Sequence, residues 1–404
     1  MKTLLIQTWL GREQHPVLPV GLACIAGSLA SSAVRIEDLN LCVSPMERLR
    51  SVLLDYKPDV VGFSLRNADT TSHSDPFSYI PAALRQIDSA RKVLPGAFIV
   101  AGGAGFSIFA REIMAVSPAI NCGIEGHGEL IAPEIMNSRV NGFFQGGSGG
   151  FTRPRFDLLS VSSYVPFERN LSVGVEVNRG CGKCCAYCSY PALSGNRVLE
   201  KPALEIKREI GQLITGGCRH FCLIAPVLNN RRKRGEEVAM AVRSLNSSVT
   251  WEAYHSAVDF DGDYASLIFD SGCRAVSFSP DGGTAEQMKR MGKDYTPAEL
   301  ESAILAASEK GIKLSLNLFP WDGRGTTAEM FQAFRNGSRW GKLAGNNLRR
   351  LRFSLIRRLP CTIYAPAAVS VSEKVAGIEF VKPAALGMIV YMTLKKLCEI
   401  DRIR

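Results

Sequence analysis

The chain has 404 residues, 46% of them hydrophobic and 21% charged, a balance that excludes a disordered or low-complexity protein and allows two or three domains around large cores. Its net charge of +10 gathers at Arg231 to Arg234 and at Arg349 to Arg358 without interleaved aromatics. Nucleic acid is therefore not expected as a partner, and an anionic small substrate or cofactor explains the excess equally well.

Met1 to Leu10 joins a lysine to an apolar run, but "GREQHP" follows at once with no small-residue cleavage site, so the start reads as a strand and not as a signal peptide. Further short apolar runs follow at 33 to 40, 59 to 67 ("DVVGFSLRN"), 97 to 103 ("AFIVAGG") and 119 to 126 ("AINCGIEG"). Helical spacing of apolar residues marks 20 to 31 and 79 to 94 between them. This alternation predicts a Rossmann-like, doubly wound parallel sheet over residues 1–140. Ligands of such sheets sit at the strand C-termini, where Gly102, Gly103, Gly126 and Gly128 would leave bare backbone for a large ligand.

Residues 141–170 mix Gly, Ser, Pro and isolated aromatics with no period and read as a linker. A second alternation occupies 171–330, with strands at 171 to 177, 220 to 225, 249 to 255, 275 to 280 and 313 to 319, and helices at 202 to 215, 235 to 246, 263 to 272 and 297 to 310. Repeated βα units predict a partial (β/α)6 barrel, followed by a mixed C-terminal segment, 331–404, placed to cover a substrate site. Its longest apolar run, "ALGMIVYM" (385 to 392), falls far short of the roughly 20 residues that span a bilayer. No transmembrane segment is expected, and twelve cysteines behind no secretory signal point to reduced thiols in the cytoplasm.

Four of those cysteines crowd into "RGCGKCCAYCSYP" (179 to 191), where the first strand of the second alternation ends. Cys181, Cys185 and Cys188 have the spacing C-x3-C-x2-C, and Cys184 is an extra thiol beside them. Three thiolates in one loop would ligate three corners of a cubane iron–sulfur cluster, leaving one iron open for chemistry. The alternative is zinc or simple buried thiols; Cys218, His220 and Cys222 supply further ligand types, but in a different βα unit.

The loop, with Tyr187 before its last cysteine, resembles the signature of the radical S-adenosylmethionine (SAM) enzymes. "AVSFSPDGGTAEQMKRMGK" is similar to that family's fourth-strand phrase, with Asp281 in the acidic place and Lys293 as its lysine. "HPVLPVGLACIAGSL", "DVVGFSLRN", "FIVAGGAGFS" and "CGIEGHGELIAPEI" resemble the cobalamin-binding domain fused ahead of that core in one branch, and "IRRLPCTIYAPAAVSVSEKVAGI" resembles a C-terminal phrase of the same branch. The resemblance implies a [4Fe-4S] cluster, S-adenosylmethionine and cobalamin as cofactors, with Cys181, Cys185 and Cys188 as cluster ligands. It implies SAM contacts from Tyr187, Asn229 and Asp281. Corrin contacts are implied from Arg66, Asn67, Gly102, Gly103, Gly126 and Gly128. Two departures stand out: no D-x-H-x-x-G phrase supplies an axial histidine, since His73 lacks the glycine, and "APVLNN" replaces the acidic motif of the second βα unit. Arg66 and Asn67 also suit a surface turn, and Asn229 or Asn230 a helix cap.

The activity implied is methylation of an unactivated carbon of a small-molecule, peptide or lipid precursor through a 5′-deoxyadenosyl radical, fed by a reducing partner such as flavodoxin or ferredoxin. The alternatives are ring closure, ring contraction or rearrangement without methyl transfer, and a non-catalytic cobalamin or iron–sulfur sensor. Arg349 to Arg358 would clamp an anionic group or, more simply, form a solvated helix face.

Overall fold

The computed structural model describes residues 1–29, 33–70, 77–147, 149–245, 248–322 and 324–354, and the backbone of strands Ser370–Val375, Ile378–Pro383 and Ile400–Asp401. His73, Arg357, Arg358, the run 385–392 and most of the C-terminal phrase lie outside the described residues.

The first unit is one sheet of β1 (Lys2–Gln7), β2 (Ala33–Asp38), β3 (Val60–Ser64), β4 (Phe98–Gly102), β5 (Cys122–Glu125) and β6 (Gly142–Gln145), in the order β2-β1-β3-β4-β5-β6 with every pair parallel. Leu4, Leu5 and Ile6 are consecutive and all buried, as a strand covered by helices on both faces requires. The doubly wound sheet expected from the sequence is present, with one addition: β6 falls where the linker was expected to begin. "GFFQ" is a half-buried edge strand, recognisable only through its pairing with Cys122–Glu125. The chain after β6 stays fastened to this unit. Thr152 Oγ1 donates to the Cys24 carbonyl (3.0 Å), Arg155 N to that of Ala23 (2.9 Å), and buried Tyr164 donates its hydroxyl to Asp38 Oδ2 (2.7 Å).

The second unit begins with β7 (Gly174–Glu176) and a short antiparallel pair, β8 (Asn178–Arg179) with β9 (Leu199–Glu200), which frames the cysteine loop. It continues through β10 (His220–Ile224), β11 (Thr250–His255), β12 (Cys273–Phe278), β13 (Lys313–Leu318) and β14 (Leu348–Phe353). These strands lie in the order β14-β13-β12-β11-β10-β7, all parallel, an open six-stranded partial barrel. A hairpin of β15 (Ser370–Val375) and β16 (Ile378–Pro383) follows, and β17 (Ile400–Asp401) pairs antiparallel to β14. The basic stretch beginning at Arg349 is therefore an edge-side strand and not a helix face. Leu348, Leu351 and Phe353 bury one side of it, and Arg349 donates to Glu252 Oε2 and, at 3.1 Å, to the Arg169 carbonyl. That commitment removes Arg349 from any anion clamp. Among the described residues no helix is long and apolar enough to cross a membrane.

One core histidine makes the second unit sensitive to acid. His255, at the end of β11, is buried against Trp251, Phe260 and Tyr264 (centroids 6.4, 5.6 and 5.9 Å), and its Nε2 has no hydrogen-bond partner. Burial pulls its pKa down to about 4, from 6.5 for an exposed histidine. Because the folded state refuses a proton that the unfolded chain accepts, this residue's contribution is full above pH 6.5 and is lost as the pH falls toward 4. At pH 5 the loss is roughly 2 kcal/mol relative to pH 7.5. Urea unfolding at the two pH values should show this slope in the wild type, reduced by that amount in His255→Phe; an identical slope in the variant would refute the assignment.

Candidate active site

Parallel strands deliver their C-terminal ends to one edge, and the two sheets turn those edges toward each other. A cavity of about 340 Å³ lies at the junction. Its floor comes from the first unit (Leu5, Ile25, Phe63, Val100, Ile124, Met136), and its opposite wall from Glu176 at the end of β7, Ile224 at the end of β10 and the helix Tyr190–Ser194 that follows the cysteine loop. Gly102, Gly103, Gly126 and Gly128 all line it. Gly103 and Gly126 have φ of +96° and +78°, a region open to glycine at little cost. A Cβ on Gly103 would stand 2.7 Å from the Leu65 carbonyl oxygen.

Arg66 and Asn67 lie just past β3 and are half-buried beside this crevice without being part of its lining. A Cβ on Gly105 would fall 2.3 Å from the Asn67 carbonyl carbon, so the turn is packed tightly on the next helix and is more than a surface loop. Burial pulls the Arg66 guanidinium below its ordinary value, partly offset by Asp38.

The cysteine loop leaves β8 through Gly180 (φ +71°), where a Cβ would be 2.0 Å from the Arg197 carbonyl oxygen. Cys181 N donates to the Gly195 carbonyl (3.1 Å), closing the loop at its base, and Cys188 N donates to that of Cys185 (3.1 Å). Cys181, Cys185 and Cys188 are half-buried free thiols, whereas Cys184 is exposed. Burial raises Cys185 above its ordinary value and pushes Cys188 up to about 11. Thiols kept protonated by burial lose the proton on binding metal, and Tyr190 N already points at Cys188 Sγ (3.4 Å) as a donor for a thiolate. Three half-buried thiols in one loop, with the fourth turned to solvent, fit a cluster held at three corners. Among the described residues no three Cys, His, Asp or Glu converge on a single-ion site. His220 is occupied by Thr250 Oγ1 (2.7 Å) and Glu252 Oε1 (3.1 Å).

The turn after β12 braces this loop. Asp281 (φ +58°) is buried, and its Oδ2 accepts from both Tyr187 OH and Lys293 Nζ. Burial opposes the Lys293 ammonium, but the Asp281 carboxylate beside it prevails and holds its pKa above the ordinary value. Tyr187 also packs edge-on against Phe319 (4.8 Å). Ala186 N donates to the Met291 carbonyl (3.1 Å), and Gly292 sits so close that a Cβ would be 2.8 Å from the Cys184 carbonyl oxygen. The two phrases singled out in the sequence are thus in direct contact.

Asn229, expected from the sequence as a SAM contact, has its carboxamide engaged within the protein. Its Nδ2 donates to the carbonyls of Ser256 (3.0 Å) and Val258 (3.2 Å), and its Oδ1 accepts from Ser256 N (2.8 Å). The buried carboxamide ties the β10 loop to the β11 loop, and Arg231, not an asparagine, occupies the next helix's N-cap. Asp281 and Tyr187 are likewise engaged with each other and with Lys293, contacts that brace the cluster loop. Reasoning from sequence missed Glu129, Glu176, Arg179 and His127, which meet at the junction; Arg179 Nη2 donates to Glu129 Oε1 (2.6 Å) and Glu176 Oε2 (2.8 Å). Adjacency of Arg179 to the cysteines was the one available signal.

A three-thiol loop, continued by a helix that walls a glycine-lined crevice at the domain junction, suits an enzyme that brings a cluster and a large planar cofactor near each other. Comparison with known proteins agrees. Residues 12–136 match the B12 binding domain and residues 175–336 the radical SAM superfamily. The chain is 21% identical over 318 residues to an uncharacterised methyltransferase of Pyrococcus horikoshii, covering 73% of this chain and 67% of that one. It is 25% identical over 210 residues to the hopanoid C-3 methylase of Methylococcus capsulatus, covering 45% and 39%. Among solved structures, the radical S-adenosylmethionine methyltransferase TsrM of Kitasatospora setae, with cobalamin and a [4Fe-4S] cluster bound, shares its fold at a TM-score of 0.75 and 18% identity, over 95% of this chain and 83% of that one. The chain belongs to the radical SAM superfamily, in the branch that carries a cobalamin-binding domain ahead of the radical core. Cobalamin, S-adenosylmethionine and an iron–sulfur cluster are its cofactors.

Proposed function

We propose that the protein is a methyltransferase that modifies an unactivated carbon of a small-molecule, peptide or lipid precursor, drawing electrons from a flavodoxin- or ferredoxin-like donor in the reducing cytoplasm. The observation that carries this reading is the cysteine loop set against the glycine-lined crevice; the methylase relatives support its direction. When bound, the cluster with S-adenosylmethionine supplies radical chemistry and cobalamin supplies a methyl carrier.

The chain's own contribution is position and enclosure. Cys181, Cys185 and Cys188 would hold the cluster, Tyr187, Asp281 and Lys293 brace their loop, and Gly102, Gly103, Gly126 and Gly128 would admit the corrin, with Arg66 and Asn67 beside the crevice. The substrate would sit against the barrel's inner face. Glu176 and Ile224 turn toward the crevice, and parallel neighbours in register share a face, which places Tyr254, Ser277 and Ser315 on that side. Asn317 joins them, donating to Ser279 Oγ at 3.5 Å. Ser277, Ser315 and Asn317 stand there in place of the bulky apolar filling of a closed barrel.

The test needs no substrate. Full-length protein, reconstituted without oxygen and reduced, should convert S-adenosylmethionine to both 5′-deoxyadenosine and S-adenosylhomocysteine, the second only when hydroxocobalamin is added. Deoxyadenosine without homocysteine would replace methylation by ring closure or rearrangement, and neither product would leave a sensor.

A further inference from the structure

The turn Gly126–Glu129, which leaves β5 of the cobalamin-binding unit, touches the second unit on both flanks of the cysteine loop. Upstream, Arg179 stands two residues before Cys181. Its Nη2 donates to Glu129 Oε1 at 2.6 Å, Nε and Nη2 each reach a Glu176 oxygen at 2.8 Å, and Nη1 donates to the Gly150 carbonyl at 3.1 Å. The Phe151 ring covers the guanidinium at 4.9 Å. The Arg179 and Glu129 side chains are only 3% and 7% exposed. Downstream, His127 Nε2 lies 3.0 Å from Ser194 Oγ, at the end of the helix that follows the loop. The same turn lines the crevice through Gly126, His127, Gly128 and Glu129. One short segment therefore touches the corrin site on one side and both ends of the cluster loop on the other.

We infer that this turn and Arg179 form a two-point clamp that couples occupancy of the corrin crevice to the state of the cluster loop. Glu129, Arg179, His127 and Ser194 are positioning residues in it. A ligand entering the crevice meets the residues that hold the loop, and metal entering the loop fixes the residues that line the crevice. Such coupling is reciprocal and amounts typically to about 5- to 150-fold in affinity. The inference rests on the family's two cofactors and is independent of methyl transfer.

Hydroxocobalamin is titrated into the full chain, followed by absorbance, once with the cluster loaded and once after the iron has been stripped by a chelator. In the wild type the two dissociation constants should differ at least fivefold, as the lower end of that coupling range requires. In Ser194→Ala, and in Glu129→Gln, the difference should shrink to under about twofold, while iron per chain and circular dichroism stay at wild-type values. Glu129→Gln leaves a buried guanidinium short of a counter-ion and can prevent folding; Ser194→Ala removes one hydroxyl and decides the matter alone in that event. A wild-type chain that binds hydroxocobalamin equally with and without iron, or a Ser194→Ala chain that retains the full difference, overturns the clamp. So does a wild type that binds no hydroxocobalamin, whereas a missing homocysteine product leaves the clamp untouched.

Discussion

Replacing Cys181, Cys185 or Cys188 by alanine should each reduce iron and sulfide in reconstituted protein to background and abolish deoxyadenosine release, while Cys184→Ala retains most of both. The expectation follows from exposure and constraint. The three occupy half-buried positions in a loop closed by the Cys181–Gly195 and Cys188–Cys185 backbone bonds. Cys184 is exposed, and its carbonyl is pressed against Gly292. A cluster held by three thiolates has no spare ligand, so each loss is complete. Comparable iron loss in all four variants would overturn the assignment and return Cys184 to the ligand set.

Asp281→Asn should destabilise the second unit by roughly 3–5 kcal/mol, the usual effect of removing one partner from a buried ion pair. Asparagine tolerates the left-handed backbone at this position, so the loss reports charge and not strain. Lys293 would remain buried without its carboxylate, while the amide oxygen can still accept from Tyr187. Adding Lys293→Met should restore much of the loss, because the orphaned ammonium disappears with it. Thermal melting of the two single variants and the double tests this; additive losses would show that the pair is not coupled. The cluster loop should loosen in step, so chelator-driven iron release from Asp281→Asn should be faster than from wild type even where both are folded.

The alternation of apolar runs with helical spacing made both α/β units legible, because a strand covered on both faces must be apolar throughout and a helix must carry one apolar stripe. Leu4, Leu5 and Ile6 are such a run, and Leu314, Leu316 and Leu318 alternate for a sheet with one face in the core. Two strands were not legible. Gly142–Gln145 and Leu348–Phe353 have composition that fits a linker or a basic helix face, and only their neighbours' hydrogen-bonding edges make them strands.

The site divides in the same way. The sequence by itself determined which thiols lie within one loop's reach, where the glycines fall at strand ends and that an acidic residue precedes a lysine, since these are local properties of spacing and backbone freedom. Only the tertiary structure decided what those groups touch. It turned Asn229 inward to two loops' backbone, joined Tyr187 to Asp281 across 94 residues and brought Arg179 to Glu129 across 50. A side chain's partners are set by which strand ends share an edge, and that is fixed by the order of strands in the sheets, not by distance along the chain.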